Sequence, residues 1–173
     1  MSLKGKKAIV LAEDTYQELE LWYPFYRLKE EGAEVKIIGS GDRSTFVSKL
    51  GYPVTADASA EAVDMTDYDA IIIPGGYAPD RMRRHPPMVK LVRDACDQDK
   101  VIGAICHAGW MLISANILKG KKATCFSAIR DDLVNAGAKY LDQEVVRDGN
   151  LITSRTPDDL PAFCREIILA MQE

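Results

Sequence analysis

The sequence has few of the residues that build metal and cofactor sites. Its 173 residues include four cysteines, none of them in a Cys-x-x-Cys pair, and two histidines that complete no zinc pattern with them. A Ser/Thr/Gly-rich phosphate loop is also missing after the first apolar run, which disfavours a flavin-binding module. We therefore expect neither a metal nor a cofactor.

Basic charge and long apolar runs are scarce as well. The formal net charge is −4, which argues against a nucleic-acid-binding surface. No run approaches the roughly 20 residues that span a bilayer. The stretch AIVLA near the N-terminus is shorter than the roughly 7–15 residues of a signal-peptide core. We expect one cytoplasmic domain over 1–173, with reduced cysteines and no membrane or nucleic-acid partner.

The sequence does contain a regular alternation of strand and helix patterns. Near-continuous apolar runs, typical of strands buried on both faces of a parallel sheet, occupy 7–12, 34–40, 68–76 and 100–106. Helical patterns occupy 17–32, with Pro24 inside as a kink or late start, 86–99, 108–118, 128–137 and 157–173, the last after Thr156 as a plausible N-cap. A hairpin is predicted over 144–154, turning at Asp148-Gly149. The order predicts an α/β fold with a doubly wound, mostly parallel sheet and a hairpin at one edge.

The segment GAICHAGW places Cys106 where a strand turns into a helix. In α/β enzymes a nucleophile often occupies such a sharp turn, which requires small residues two positions to either side, here Ala104 and Ala108. The turn also lies at the carboxyl end of a strand, where these sheets bind ligands. We therefore predict a reactive thiol at Cys106, with a pKa below its ordinary value. For the cysteines at 96, 125 and 164 a buried structural role is expected.

Several segments of the chain resemble the DJ-1/PfpI superfamily. They are AICHAGWMLISANILKGKKAT, AIIIPGGYAPDRMR, YQELELWYPFYRLKEEGAEV and DDLVNAGAKYLDQEVVRDGNLITSRTPDDLPAF. The resemblance covers nearly the whole chain in order and is strongest to the PfpI branch. It implies a flavodoxin-like fold, a homodimer or higher homo-oligomer, and a cysteine nucleophile. Members of the superfamily are described as peptidases, glyoxalase or deglycase-type enzymes, hydratases and chaperones.

The resemblance implies that Glu20 contacts the cysteine sulfur. Glu20 stands among apolar residues, where burial would raise its pKa, and a protonated carboxyl could donate a hydrogen bond to a thiolate. The residues themselves do not separate Glu20 from Glu18. The choice of Glu20, with Glu18 as an exposed helix residue, rests on the resemblance.

Two glycines, Gly75 and Gly76, end a buried strand. A Pro-Gly-Gly sequence alone is usually a turn. Opposite an elbow cysteine, its bare backbone could approach a substrate and hold an oxyanion with the His107 amide as a further donor.

The role of His107 is less direct. Adjacent residues on a helix do not face each other, so no contact between His107 and Cys106 is required. The resemblance implies that His107 pairs with an acid of a neighbouring subunit, matched here by Asp80, an aspartate where the branch is expected to carry glutamate. His85 looks like an exposed loop residue. No histidine follows His107, which disfavours class I glutamine amidotransferases.

The leading hypothesis is a stress-related cysteine hydrolase that acts on a small carbonyl or peptide substrate. Peptide cleavage and glycation-adduct chemistry share the attack of Cys106 on a carbonyl, and the sequence does not separate them. The alternative is a redox-responsive chaperone in which Cys106 is oxidised to a sulfinic acid that Glu20 stabilises. Tyr16 and Tyr77 are possible pocket residues. A basic cluster that could serve an interface, an anionic substrate or a solvated surface comprises Arg81, Arg83 and Arg84.

Overall fold

The structure is a computed structural model that describes residues 2–41 and 43–173. Its strands are β1 (Lys7–Ala12), β2 (Glu34–Gly39), β3 (Thr45–Val47), β4 (Pro53–Thr55), β5 (Ala58–Ser59), β6 (Ala70–Ile73), β7 (Val101–Ile105), β8 (Lys122–Ala123), β9 (Lys139–Tyr140), β10 (Val145–Asp148) and β11 (Leu151–Ser154). Its helices are α1 (Glu18–Glu30), α2 (Ala78–Met82), α3 (Pro86–Asp97), α4 (Gly109–Ser114), α5 (Arg130–Asn135) and α6 (Leu160–Gln172).

Seven of the strands form one central sheet in the order β10-β11-β7-β6-β1-β2-β5. All neighbours pair in parallel except β10 and β11, which form the predicted antiparallel hairpin at one edge. Every residue of β6 and β7 is buried, as the continuous apolar runs predict. The doubly wound α/β fold expected from the sequence is therefore confirmed.

The winding direction of the sheet reverses between β1 and β6. From β1 the chain crosses through α1 to β2 on one side, and from β6 it crosses through α3 to β7 on the other. Because such crossovers are right-handed, the two helices lie on opposite faces of the sheet. Ligands of open α/β sheets bind beyond the carboxyl ends of the strands at this reversal.

Several element boundaries differ from the predicted ones. The expected helix over 108–118 is a 3-10 turn at Cys106–Ala108 followed by the short α4, and Asn116 beyond it has a φ of +56°. Helix α1 continues through Pro24. Thr156 precedes a 3-10 turn, Pro157–Asp159, rather than α6 itself, and makes no side-chain capping bond there. Five strands of two or three residues, β3, β4, β5, β8 and β9, were not predicted.

Among the described residues no helix combines the length and the apolar character that crossing a membrane requires. Side chains of the described residues also form no group of three or more histidines, cysteines or acids able to hold a metal ion.

Candidate active site

Cys106 occupies the turn between β7 and α4 and is only 8% exposed. Its φ of +62° lies in the left-handed region, which costs a non-glycine residue about 1–3 kcal/mol and is concentrated at functional sites. The turn leaves no space for larger neighbours. A Cβ added at Gly103 would lie 2.7 Å from Ile167 Cδ1, and one at Gly109 would lie 2.7 Å from Leu133 Cδ1. A larger residue at Gly103 or Gly109 would therefore require the neighbouring side chains to shift.

Gly75 brings the loop after β6 directly against the cysteine. A Cβ added at Gly75 would lie 2.7 Å from Cys106 Cβ and 2.6 Å from Glu20 Oε2, so no side chain fits there. The Gly75 amide donates a hydrogen bond of 2.7 Å to that carboxyl oxygen. The Gly75 amide is therefore already hydrogen-bonded to Glu20, whereas the sequence predicts it to be a donor to an oxyanion.

Gly76 and His107 direct their amides at the Cys106 sulfur, where hydrogen bonding lowers the thiol pKa. Gly76 has a φ of +70°, and a Cβ there would lie 2.5 Å from the Thr15 carbonyl oxygen. Only glycine meets both conditions. Two of the three predicted amide donors thus converge on the position of the sulfur.

Glu20 lies in the first turn of α1 and is fully buried. Its Oε2 accepts the Gly75 hydrogen bond, and its Oε1 is buried without a hydrogen-bond partner among the described residues. Burial raises the pKa of Glu20 to about 7, although the Gly75 amide and the Cys106 side chain both lower it. Glu18 is half-buried rather than exposed and accepts a 2.9 Å hydrogen bond from the Leu50 amide.

The Cys106 thiol and the Glu20 carboxyl are two neighbouring acids. Burial and the charge of Glu20 raise the pKa of Cys106 to about 12, against the lowering by the two amides. The expectation of a lowered thiol pKa is thus wrong, because burial disfavours the thiolate and the charge of the adjacent Glu20 carboxylate disfavours it further. A thiolate at neutral pH requires Glu20 to keep its proton, and the pair titrates as a unit.

His107 contacts the nucleophile in spite of being adjacent to it in the chain. Its Nδ1 lies 3.3 Å from Cys106 Sγ. This contact arises because the left-handed Cys106 and the 3-10 turn replace the helical geometry on which the sequence argument depended. Half-burial, with a contribution from the charge of Lys49, lowers the His107 pKa, so the imidazole is neutral at pH 7.

Three aromatic side chains surround the His107 ring. The distances between ring centroids are 5.9 Å to Tyr77, 5.1 Å to Trp110 and 4.9 Å to Phe126. Trp110 is itself fixed, since its Nε1 donates a 2.9 Å hydrogen bond to Asp132 Oδ2. Its spacing from His107, one helical turn, is a signal the sequence carries. Nothing local in the sequence predicts Phe126 or Asp132 at this site.

The other residues that the sequence analysis singled out lie in different environments. Tyr16 is buried and donates its hydroxyl to the Tyr52 carbonyl at 2.8 Å, so it supports the fold rather than a pocket. Of the basic cluster, Arg83 lies over the Trp110 ring, with its guanidinium carbon 5.9 Å from the ring centroid. His85 is a partly exposed residue at the start of α3. Cys125 and Cys164 are buried as expected, whereas Cys96 is partly exposed.

Asp80 is exposed in the first turn of α2. In the ranges 2–41 and 43–173 no hydrogen bond or ion pair joins its carboxylate to His107. A single chain therefore supplies the cysteine, the histidine and the buried glutamate together, but leaves Asp80 apart from them. The predicted contact across a subunit interface stays a prediction.

Comparison with known proteins identifies the family of the chain. The model of the DJ-1/PfpI family matches residues 6–170. The chain belongs to the DJ-1/PfpI family. The recognition from sequence is thereby confirmed.

Relatives and solved structures match over nearly the whole chain. Deglycase PfpI from Pyrococcus furiosus is 42% identical over 162 residues, 94% of this chain and 97% of that protein. General stress protein 18 from Bacillus subtilis is 40% identical over 171 residues, 98% and 99% of the two chains. The crystal structure of a two-domain protein with DJ-1/ThiJ/PfpI-like and ferritin-like domains from Anabaena variabilis has a TM-score of 0.93 at 42% identity. The match covers 95% of this chain and 47% of that one, so this chain spans about half of it.

Proposed function

We propose that this protein is a cysteine-dependent deglycase that releases amines from their 2-oxoaldehyde adducts. The carrying observation is the buried Glu20 carboxyl, with a pKa of about 7, which lies beside Cys106: a Cβ added at Gly75 would lie 2.6 Å from Glu20 Oε2 and 2.7 Å from Cys106 Cβ. Such a group can give and take a proton at neutral pH beside the reacting carbon. The relative from Pyrococcus furiosus, named a deglycase, supports the same chemistry.

The first step forms a hemithioacetal. The sulfur of Cys106, ionised while Glu20 keeps the shared proton, attacks the carbon that bears the amine. The C–S bond forms, the C–N bond breaks, and the proton passes from Glu20 to the departing nitrogen. The Gly76 and His107 amides, which adjoin the sulfur, are the donors available to the oxygen on that carbon.

The remaining steps need no external oxidant or reductant. The Glu20 carboxylate removes the hydrogen of the sulfur-bearing carbon to give an enediol and returns it to the neighbouring carbon. The hydroxyl proton on the sulfur-bearing carbon passes to the neighbouring oxygen, and the product is a 2-hydroxy thioester. Neutral His107 then takes a proton from water, the hydroxide attacks the thioester, and the proton returns to the sulfur. One water is consumed, and the products are the free amine and a 2-hydroxy acid.

The test follows both products. N-acetyl-arginine modified by methylglyoxal is incubated with the protein, and free N-acetyl-arginine and lactate are measured together. We expect equal amounts of both from the wild type and a large loss of both in Glu20→Gln. Lactate from free methylglyoxal but not from the adduct would show a glyoxalase instead, and cleavage of a peptide without either product would show a peptidase.

We further infer that the protein acts as a homo-oligomer in which Asp80 of a second copy orients His107. This inference rests on the family resemblance and on the exposure of Asp80 in the helix that begins next to Tyr77, whose ring borders His107. Mixed dimers of Cys106→Ala and Asp80→Asn chains contain one site with both groups intact. We expect these dimers to regain part of the activity, and no recovery in demonstrably mixed dimers would contradict the inference.

A second candidate function is a redox response of the same thiol. The buried Oε1 of Glu20 has no hydrogen-bond partner among the described residues and could donate to an oxygen added to Cys106 sulfur by a peroxide. Peptide mass spectrometry after treatment with hydrogen peroxide tests it, because it assigns added oxygens to individual cysteines. We expect a gain of two oxygens on Cys106 that Glu20→Gln diminishes, and a mass change located on Cys96 alone would contradict it.

A further inference from the structure

The hairpin of β3 and β4 carries a lysine beside the active site that the mechanism does not use. Lys49 lies near its tip with an exposed side chain. The ion pairs among the described residues do not include it. Its positive charge is therefore available to a ligand.

Backbone contacts connect this lysine to the nucleophile. The Lys49 amide donates a 3.0 Å hydrogen bond to the Tyr16 carbonyl, and Tyr16 forms an antiparallel bridge with Gly76. The Gly76 amide is in turn directed at the Cys106 sulfur. Paired backbone segments lie about 5 Å apart, so two such spacings separate the Lys49 backbone from that of Gly76.

The position of the hairpin tip is fixed by further hydrogen bonds. Ser48 Oγ accepts from the amides of Leu50, at 3.2 Å, and Tyr52, at 2.8 Å. The Leu50 amide also donates to Glu18. These hydrogen bonds fix the loop that carries Lys49, and a group that positions a ligand requires such a fixed support.

The electrostatics of the site agree with this placement. The charge of Lys49 lowers the pKa of Glu18, Glu20 and His107, so the ammonium group acts on all three. Glu18, and Glu20 when it is ionised, lie near the same ammonium group and would repel a dianion such as phosphate more than a monoanion. A ligand with a single negative charge is the better match.

We propose that Lys49 binds a carboxylate of the substrate and makes this site prefer aldehydes and adducts that carry a carboxylate near the reacting carbon. This proposal rests on the proposed function for its substrate class. Lysine serves here as a point charge, without the bidentate geometry of arginine, so it selects charge rather than one shape of ligand.

The experiment uses two alkylating agents of similar size. Iodoacetate carries a carboxylate where iodoacetamide is neutral, and both react with the Cys106 thiolate, so the ratio of their rates isolates the effect of charge. At low ionic strength we expect Lys49→Met to reduce the iodoacetate-to-iodoacetamide ratio about three- to tenfold. Lys49→Arg should preserve it, and salt should diminish the difference.

The control is Lys7→Met. Lys7 is exposed and is the first residue of β1. The other end of that strand, which leads towards Tyr16, lies about 17 Å from Lys7. This variant should leave the ratio unchanged. Acetate at equal ionic strength should slow the iodoacetate reaction more than inorganic phosphate does.

The outcomes separate this proposal from the proposed function. If Lys49→Met changes the iodoacetate and iodoacetamide rates equally, the lysine only offsets the charge of the neighbouring carboxylates. That result would overturn the proposal. Stronger competition by phosphate would overturn the choice of a single carboxylate. Alkylation requires no turnover, so the ratio remains informative even if the protein releases no amine from glycated adducts. Circular dichroism shows whether each variant is folded, and Lys49→Gln replaces Lys49→Met if that variant is not.

Discussion

Cys106 and Cys164 show how little burial alone says about a thiol. Both are buried, and burial raises the pKa of each to about 12. Cys164 lies in α6 among core residues, where only the charge of Arg27 lowers its pKa. Cys106 has two backbone amides, an imidazole nitrogen and a second acid as neighbours. The difference between them is the presence of groups that can accept, hold or return a proton.

The largest effect should come from removing the two sulfurs in turn. Cys106→Ala should lower amine release at least about 1,000-fold, because the bond to substrate cannot form. Cys164→Ala should retain activity and lower the free energy of unfolding by about 1–2 kcal/mol, through a small cavity. Turnover and urea denaturation of both variants measure this, and comparable loss of activity in the two would remove the distinction between the sites.

The next effect concerns the contact between the two acids. Gly75→Ala places a methyl group within 2.6 Å of Glu20 Oε2, so the loop or the carboxyl must move. We expect about a 100-fold loss of turnover, typical of a small misplacement of reacting groups. Gly5→Ala is the control for backbone strain alone, since Gly5 has a left-handed φ of +87°, which Gly75 lacks, and lies in open space. Normal turnover in Gly75→Ala would show that the close approach is dispensable.

Glu20 should make stability depend on pH. Its folded pKa of about 7 lies above its ordinary value of 4.5, so the folded state binds more protons between these values. The contribution of Glu20 to stability is therefore fully present below about pH 4.5, and about 3 kcal/mol of it is lost as the pH rises through 7. Glu20→Gln should flatten that part of the curve, whereas exchange of the exposed Glu61 for Gln should not. Denaturation across the pH range decides this, and an unchanged slope in Glu20→Gln would contradict the raised pKa.

The smallest effect concerns the aromatic side chains around His107. Cys164, the core cysteine, has no counterpart of these surroundings. Asp132→Ala removes the acceptor of the Trp110 indole, worth about 0.5–1.5 kcal/mol, and should lower kcat about two- to fivefold with KM unchanged. The pH profile should shift where His107 titrates, which a purely structural change would not cause. Asp131→Ala, the adjacent exposed acid, is the matched control. Identical profiles in both variants would show that Trp110 does not position the histidine.

The sequence predicts the sheet well because each central strand is a continuous apolar run. The runs at 68–76 and 100–106 contain β6 and β7, and their lack of alternation indicates burial on both faces. The short strands β3 and β4 were missed because three residues give no periodicity to detect. Yet their hairpin is what brings Lys49 to the site.

The sequence predicts the location of the site better than it predicts the chemistry of the site. The small residues around Cys106 indicate a tight turn, but the left-handed conformation that brings His107 Nδ1 to the sulfur is a property of the folded backbone. The pKa of the thiol depends on the distance to Glu20, which lies 86 positions earlier in the chain and meets it only through tertiary packing. Spacing along the sequence carries no information on that distance.

The hydrogen bond between the Gly75 amide and Glu20 joins residues 55 positions apart. Contacts of such separation form only after long loops have closed, and they form slowly. No local segment of the chain can therefore gain reactivity ahead of the rest. During synthesis the thiol stays without its acid until α1, the loop after β6 and the turn after β7 have assembled, so the appearance of activity reports completed folding.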